Sequence, residues 1–227
     1  MAVNPEPLVV NRMGIYFRDR SDAGRQLASF LGPGLKQPVV LAIPRGGILV
    51  AVEIAESLGC ALGLVVPRKI PITFSPEAGY GAVAEDGTIV LNDPLVAQLG
   101  LSRSEVEHQA GNVLKEIRRR GSLYREHLPG PVEVKGRDAV IVDDGLASGF
   151  TMIAAIRSVK NKQAASVTVA VPVASESAYQ RVRKEARVVA AVIASAGMFA
   201  VASFYENWHD LDDNEAIGYL DSWTARR

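Results

Sequence analysis

The chain has 227 residues, 25 of them lysine or arginine and 25 aspartate or glutamate, for a formal net charge of zero. Its 48% apolar content excludes wholesale disorder, and the charge balance disfavours a general nucleic-acid or anionic-membrane binder while leaving room for a local basic pocket. A single cysteine, Cys60, excludes an internal disulfide or a cysteine-built zinc site, and no apolar run nears the ~20 residues of a membrane span.

Residues 1–12 lack the charged start and long apolar middle of a signal peptide, so a cytoplasmic, soluble protein is expected. Ser21 or Asp22 is placed to cap a helix through Leu27 and Leu31. Strands are predicted at Val39–Ile43, Leu62–Val66, Ala139–Val142, Val167–Val173 and Val188–Ile193. These runs are almost continuously apolar, as parallel strands covered on both faces should be. Between them, Gly47–Leu58, Phe150–Val159 and Ser175–Lys184 carry helical patterns. The β-α-β order predicts an α/β fold: an open, mainly parallel five-stranded sheet with helices on both faces. Two stretches break the alternation. Ala82–Leu91 reads as a hairpin around Asp86-Gly87, and Ser102–Leu128 as a long charged helix. Near the end, Asp212 followed by Glu215 is a capping-box signal. With no repeat or linker, residues 1–227 read as a single domain, with a helical insertion at about 102–128.

Chemistry concentrates in Ala139–Thr151, where an apolar strand runs into Asp143-Asp144, a small-residue loop and a helix start. Ligands of open α/β sheets bind at the carboxyl ends of strands. A turn entering a helix offers unpaired N–H groups and the positive dipole end to a phosphate. Gly145 and Gly149 let backbone approach closely, and Ser148 and Thr151 add hydroxyl donors. Two carboxylates beside that phosphate need another partner, for which sugar hydroxyls and a hydrated Mg²⁺ are suited. The combination points to a sugar phosphate. The bland alternative is an acidic turn that caps the next helix. A Walker loop does not fit, because three residues separate Gly145 from Gly149 and Phe150 stands where lysine is needed. Gly79–Ala84 matches a loose dinucleotide fingerprint but precedes a hairpin rather than a helix. A second strand–turn–helix, Val39–Gly47, presents Arg45, Gly46 and Gly47 as an anion site suited to a diphosphate, the alternative being an ordinary turn with a solvated arginine.

These residues resemble the type I phosphoribosyltransferases, of a poorly characterised branch, over about Phe17–Leu220. Val140–Thr151 resembles their signature for 5-phosphoribosyl 1-diphosphate (PRPP). The resemblance implies that Asp143 and Asp144 hold the ribose hydroxyls and organise Mg²⁺, directly or through water. It implies that Gly145, Leu146, Ala147, Ser148, Gly149, Phe150 and Thr151 cradle the 5′-phosphate. Arg45-Gly46-Gly47 is similar to the family's pyrophosphate loop, where a non-proline cis peptide is common. Asp143, Asp144 and Arg45 would then be the catalytic residues, and Mg²⁺ the cofactor. Arg68–Glu77 occupies the place of the family's mobile loop, from which Lys69 would approach the diphosphate, the alternative being a solvated loop lysine.

The acceptor is recognised in this family by a variable hood. The N-terminal segment, about residues 197–227, or both are candidates for it, with Phe199, Phe204, Tyr205 and Trp208 either stacking on a base or packing the hood onto the core. His209 is a candidate base or a surface residue beside Asp210. The long helix, basic at Lys115 and Arg118–Arg120 but mixed with glutamates, presents a solvated face, leans over the diphosphate or packs against another subunit. The expected partners are PRPP and a small nitrogenous acceptor, with no membrane. The alternative is a regulator that senses PRPP or a nucleotide without turnover.

Overall fold

A computed structural model describes residues 7–10, 14–31, 34–72, 75–195 and 200–227, with backbone alone at 76 and 77. Of the segments singled out above, 1–6 and 11–13 of the N-terminal segment, 73–74 and 196–199 (Phe199 with them) lie outside the described residues.

Six parallel strands form the main sheet: β1 (Leu8–Val10), β2 (Val39–Ala42), β3 (Ala61–Leu64), β7 (Asp138–Val142), β8 (Ser166–Ser175) and β9 (Arg187–Ala194). Their order is β1-β9-β8-β7-β2-β3. The five expected strands are all present. The sixth, β1, corrects the five-stranded expectation, because three residues pairing Leu8–Val10 with Val192–Ala194 are too few to show a period. The chain leaves β2 for β3 on one side and β7 for β8 on the other, so the order reverses between β2 and β7. The crevice at their carboxyl ends is where such a fold binds ligands.

Alternate residues along each strand feed two cores, as the two-residue strand period requires. Val40, Ala42, Val140 and Val142 face one layer built from α1 (Arg20–Ala28), α2 (Gly46–Leu58) and the C-terminal α7 (Asp213–Ala225). Val39, Leu41, Ala139 and Ile141 face the other, built from α5 (Phe150–Asn161) and α6 (Glu176–Val182). Each fully buried isoleucine or leucine, such as Ile54, Leu27 or Ile156, contributes roughly 1.5–3 kcal/mol through removal from water.

Capping explains several boundaries. The first helix is capped by Asp19, whose carboxylate accepts from the Asp22 N–H at 2.7 Å, not by Ser21 or Asp22. Capping boxes open α4 (Arg103–Arg125), from Ser102 to Glu105, and α7, from Asp212 to Glu215.

A second sheet holds antiparallel strands β4 (Arg68–Ile72), β5 (Ser75–Val83) and β6 (Ile89–Leu91). The segment expected as a mobile loop is therefore largely strand. Pro71 falls where the β4–β5 register shifts, which lets a proline sit in a ladder. The β5–β6 turn also departs from the two-residue form. Gly87 alone takes a positive φ of 88°, and the Asp86 carboxylate accepts from the Thr88 N–H instead. Between this sheet and the long helix comes α3 (Asp93–Gln98). Tyr80 on β5 donates to Gln109 at 2.9 Å and Arg125 pairs with Glu85, so α4 is fastened against the small sheet. No helix among the described residues is long and apolar enough to cross a membrane.

Candidate active site

The turns after β2 and β7 meet at the switch point. Strand β7 delivers Asp143 and Asp144, and the Ile43 N–H donates to the Val142 carbonyl at 2.8 Å, keeping the two strands paired up to the turn. The Pro44–Arg45 peptide is cis, at the place the resemblance implies. Arg45 is the N-cap of α2 and makes no side-chain capping hydrogen bond, so the first N–H groups of that helix have no side-chain cap. Gly46 then passes against the acidic turn so closely that a Cβ there would lie 1.8 Å from the Asp144 Oδ2. Only glycine fits between these loops.

The carboxyls are held differently. Asp143 accepts from the Asp144 N–H at 2.9 Å. Asp144 Oδ2 accepts from Arg20 Nε at 2.8 Å, a pair whose side chains are 17% and 6% exposed. Burial raises the Asp143 carboxyl well above its ordinary range, and the neighbouring Asp144 charge adds to it. Burial also raises Asp144, but there the Arg20 guanidinium pulls the other way.

The loop after Asp144 is built by chain crossing. The Leu146 N–H donates to Val173 and the Ser175 N–H to Leu146, both at 2.9 Å. Ser175 Oγ donates to the Ala147 carbonyl at 2.7 Å, and Arg181 donates to the Ser148 carbonyl while lying 4.9 Å from the centre of the Phe150 ring. Gly149 caps α5 at φ 85°, a left-handed conformation that favours glycine. The N–H groups of Ala147, Ser148 and Gly149 donate to no protein acceptor among the described residues, and Thr151 stands in the first turn of α5. Gly145 packs against Val201, where a Cβ would come within 2.5 Å of the valine side chain.

A cavity of about 300 Å³ opens beside these turns, lined by Arg20, Pro44, Arg45, Gly46 and Asp144 on one wall. Val66, Pro67, Arg68, Ile117, Arg120, Tyr124, Trp208, Asp210 and Leu211 close the rest. Gly47 packs against the Val142 carbonyl and the Asp143 backbone beneath. Arg68 lines the cavity and Lys69 does not, because adjacent residues of β4 point to opposite faces.

Both chain flanks cover the acidic turn. Phe17 and Tyr205 form a parallel bridge, and the Glu206 N–H donates to Phe17 at 2.8 Å. The Tyr205 hydroxyl donates to the Asp144 carbonyl at 2.7 Å. Arg20 also donates to the His209 carbonyl at 3.0 Å and stacks 3.7 Å over the Trp208 ring. Phe204 and Tyr205 are buried packing residues, whereas Trp208 faces the cavity. His209 points its ring to Glu215 at 2.8 Å and is exposed, with its partner being Glu215 rather than Asp210. A further set was not evident in the sequence: Asp213 accepts from the Tyr124 hydroxyl at 2.6 Å and lies 3.5 Å from Arg45 Nη1. Arg20, Tyr124, Asp213 and Arg68 carry no local motif, whereas Arg120 belongs to the basic run for which one reading had the long helix leaning over the diphosphate.

No cluster of three or more His, Cys, Asp or Glu side chains is placed to hold a metal among the described residues. Two adjacent carboxylates suit an ion that keeps most of its water and takes substrate oxygens, which is the habit of magnesium rather than zinc.

The fold and its two facing loops define an α/β protein with a cavity at a topological switch point, the place where such folds take their ligands. A family model described as phosphoribosyl transferase domain matches residues 22–203, and the chain belongs to that family. It is 39% identical over 206 residues to two Mycobacterium tuberculosis proteins, from strains CDC 1551 and H37Rv, provisionally named phosphoribosyl transferases. The match covers 90% of this chain and 46% of theirs, so the chain spans about half the length of these curated relatives. The crystal structure of TT1426 from Thermus thermophilus is also 39% identical, with a TM-score of 0.77 over 92% of this chain and 100% of that one. A Neisseria gonorrhoeae protein solved with bound ppGpp shares the fold at 16% identity and a TM-score of 0.50, over 98% of this chain and 99% of that one.

Proposed function

We propose that this chain transfers the 5-phosphoribosyl group of PRPP to a nitrogenous acceptor with release of diphosphate. The observation that carries the reading is the apposition of Gly46 with Asp144, which sets an anion-binding turn against a hydroxyl-binding one across one cavity. The 5′-phosphate would rest on the Ala147–Gly149 N–H groups, with Ser148 and Thr151 adding hydroxyls. Asp143 and Asp144 would take the ribose hydroxyls. The same two residues would hold Mg²⁺, through its waters, and the ion would supply positive charge to the leaving diphosphate. Arg45 and the amides of Gly46 and Gly47 would stabilise the charge that builds on that group as the C1–oxygen bond breaks. The acceptor nitrogen then forms the new bond at C1. In this reading the core sheet and the hood work as one unit, in a cytoplasmic setting.

The test mixes protein, Mg²⁺ and PRPP with a panel of bases and amines and follows diphosphate release. Release with one acceptor, lost in Asp144→Asn, is the expected result. PRPP that neither binds nor raises the melting temperature at saturation overturns it.

A second reading, a sensor of PRPP or a nucleotide without turnover, is favoured by one observation: Asp144 is already engaged by Arg20. The fold-level likeness to the ppGpp-bound Neisseria gonorrhoeae protein is in keeping with it. Tight ligand binding with no diphosphate release against any acceptor would select this reading.

A further inference from the structure

Three successive carbonyls of the loop after Asp144 are taken by one short stretch of chain. The Ser175 N–H donates to the Leu146 carbonyl at 2.9 Å, and the Ser175 Oγ to the Ala147 carbonyl at 2.7 Å. Arg181 donates from Nη1 to the Ser148 carbonyl. Ser175 is itself held in place. It ends β8 and caps α6, where its Oγ accepts from the Ala178 N–H at 3.2 Å.

In a trans peptide the carbonyl of one residue and the N–H of the next point in opposite directions. The three peptides concerned are trans. Each carbonyl held toward residues 175–181 therefore turns the following N–H away from that stretch. The groups so turned are the N–H groups of Ala147, Ser148 and Gly149, the same three that donate to no protein acceptor among the described residues. Flipping any one of these peptides would set the negative end of a carbonyl among them.

Arg181 brings a second property. The loop Gly145–Thr151 contains no basic side chain. Arg181 is half-buried, lies 4.9 Å from the Phe150 ring centre and forms no ion pair among the described residues. A cation on the Ser148 carbonyl polarises that peptide and strengthens the N–H at its other end, that of Gly149.

We propose that Ser175 and Arg181 are positioning residues for the 5′-phosphate. They aim the three amides from behind, and the Arg181 charge tunes the loop for a doubly ionised phosphate. Neither side chain has to touch the ligand. The role rests on the transferase reading above and adds the residues outside the loop that set its grip.

The test is calorimetry on the full chain with Mg²⁺, using ribose 5-phosphate and inorganic diphosphate as probes. The first reads the Ala147–Gly149 amides, and the second reads the Arg45 turn. Arg181→Met is expected to weaken ribose 5-phosphate about tenfold and leave diphosphate within about twofold. Arg181→Lys should recover most of that loss, and Ser175→Ala, which keeps the main-chain donor, should weaken the sugar phosphate severalfold. Wild-type affinity for ribose 5-phosphate should rise between about pH 5 and 7, as the phosphate passes its second ionisation near about 6. That rise should flatten in Arg181→Met. Unchanged sugar-phosphate affinity in Arg181→Met overturns the proposal, and so do equal losses for both probes, which would mark general damage. Wild-type protein that does not bind ribose 5-phosphate overturns it as well. The expected pattern without PRPP turnover against any acceptor would sink the transferase reading and keep these two roles.

Discussion

Arg20 Nε stands 2.8 Å from Asp144 Oδ2, joining the first helix to the acidic turn across 124 positions of sequence. The same guanidinium reaches the His209 carbonyl and covers Trp208. One side chain therefore ties three segments together at the mouth of the cavity.

Arg20→Met should strand the Asp144 carboxylate and cost roughly 3–5 kcal/mol, the range for breaking a buried pair from one side. Adding Asp144→Asn should recover part of that loss. The Asp144 carboxyl is already raised by burial, and without Arg20 it would rise further, so the penalty should shrink at acidic pH where the group is protonated. Urea unfolding of wild type, the single variant and the double variant checks this.

Asp143→Asn should stabilise the protein at neutral pH. A carboxyl raised in the folded state binds its proton more tightly there than in the unfolded chain. Its stabilising contribution is present below the unfolded value, here 3.8, and is lost as pH climbs through the folded value. The asparagine oxygen still accepts from the Asp144 N–H. The variant's advantage should therefore grow as pH rises above 4. Denaturant unfolding between pH 4 and 8 would show it, and a flat difference would contradict it.

Gly46→Ala should damage the site more than the fold. The new methyl would meet Asp144 Oδ2 at 1.8 Å and push it from Arg20. Overpacking of this kind costs about 1–3 kcal/mol. PRPP binding by calorimetry should fall by about 10² or more, since the anion turn and the acidic turn both shift.

Thr151→Val should weaken PRPP binding by about 1–3 kcal/mol through loss of a hydrogen bond to a charged phosphate. The expected effect falls on affinity, with the melting temperature of the free protein nearly unchanged. Equal affinity would show that this hydroxyl does not touch the phosphate.

Tyr124→Phe removes the 2.6 Å hydrogen bond to Asp213. Burial, and then Asp213, raise the phenol well above its usual range, so it remains a donor at every pH where the protein is folded. A stability loss of about 1.5–3 kcal/mol is expected for a bond to a charged acceptor. Because Asp213 also lies beside Arg45, the KM for PRPP should rise more than kcat falls. Steady-state kinetics with the acceptor found above checks the split.

What the sequence disclosed was contiguous. Strand β7, Asp143, Asp144, the glycine loop and α5 follow one another without a gap, so apolar run, charge and turn signals reinforce each other. Strands β2, β3, β7, β8 and β9 were legible because their runs are almost continuously apolar, being buried on both faces. What stayed hidden depends on chain segments meeting in space. Arg20 and His209 are 189 positions apart, and nothing local at Arg68 marks it as facing the cavity that Arg120 also lines. The resemblance to a mobile loop hid β4, whose ladder accommodates Pro71 through a register shift. Leu8–Val10 was too short to announce a strand.

The Phe17–Tyr205 bridge makes a clasp of two stretches that contain none of the groups proposed to touch the reacting sugar. Through Arg20 and the Tyr205 hydroxyl that clasp grips both the side chain and the backbone of Asp144. A ligand that claims Asp144 must therefore negotiate with the flanks. Trimming either flank to leave a minimal core would untie the acid it was meant to preserve.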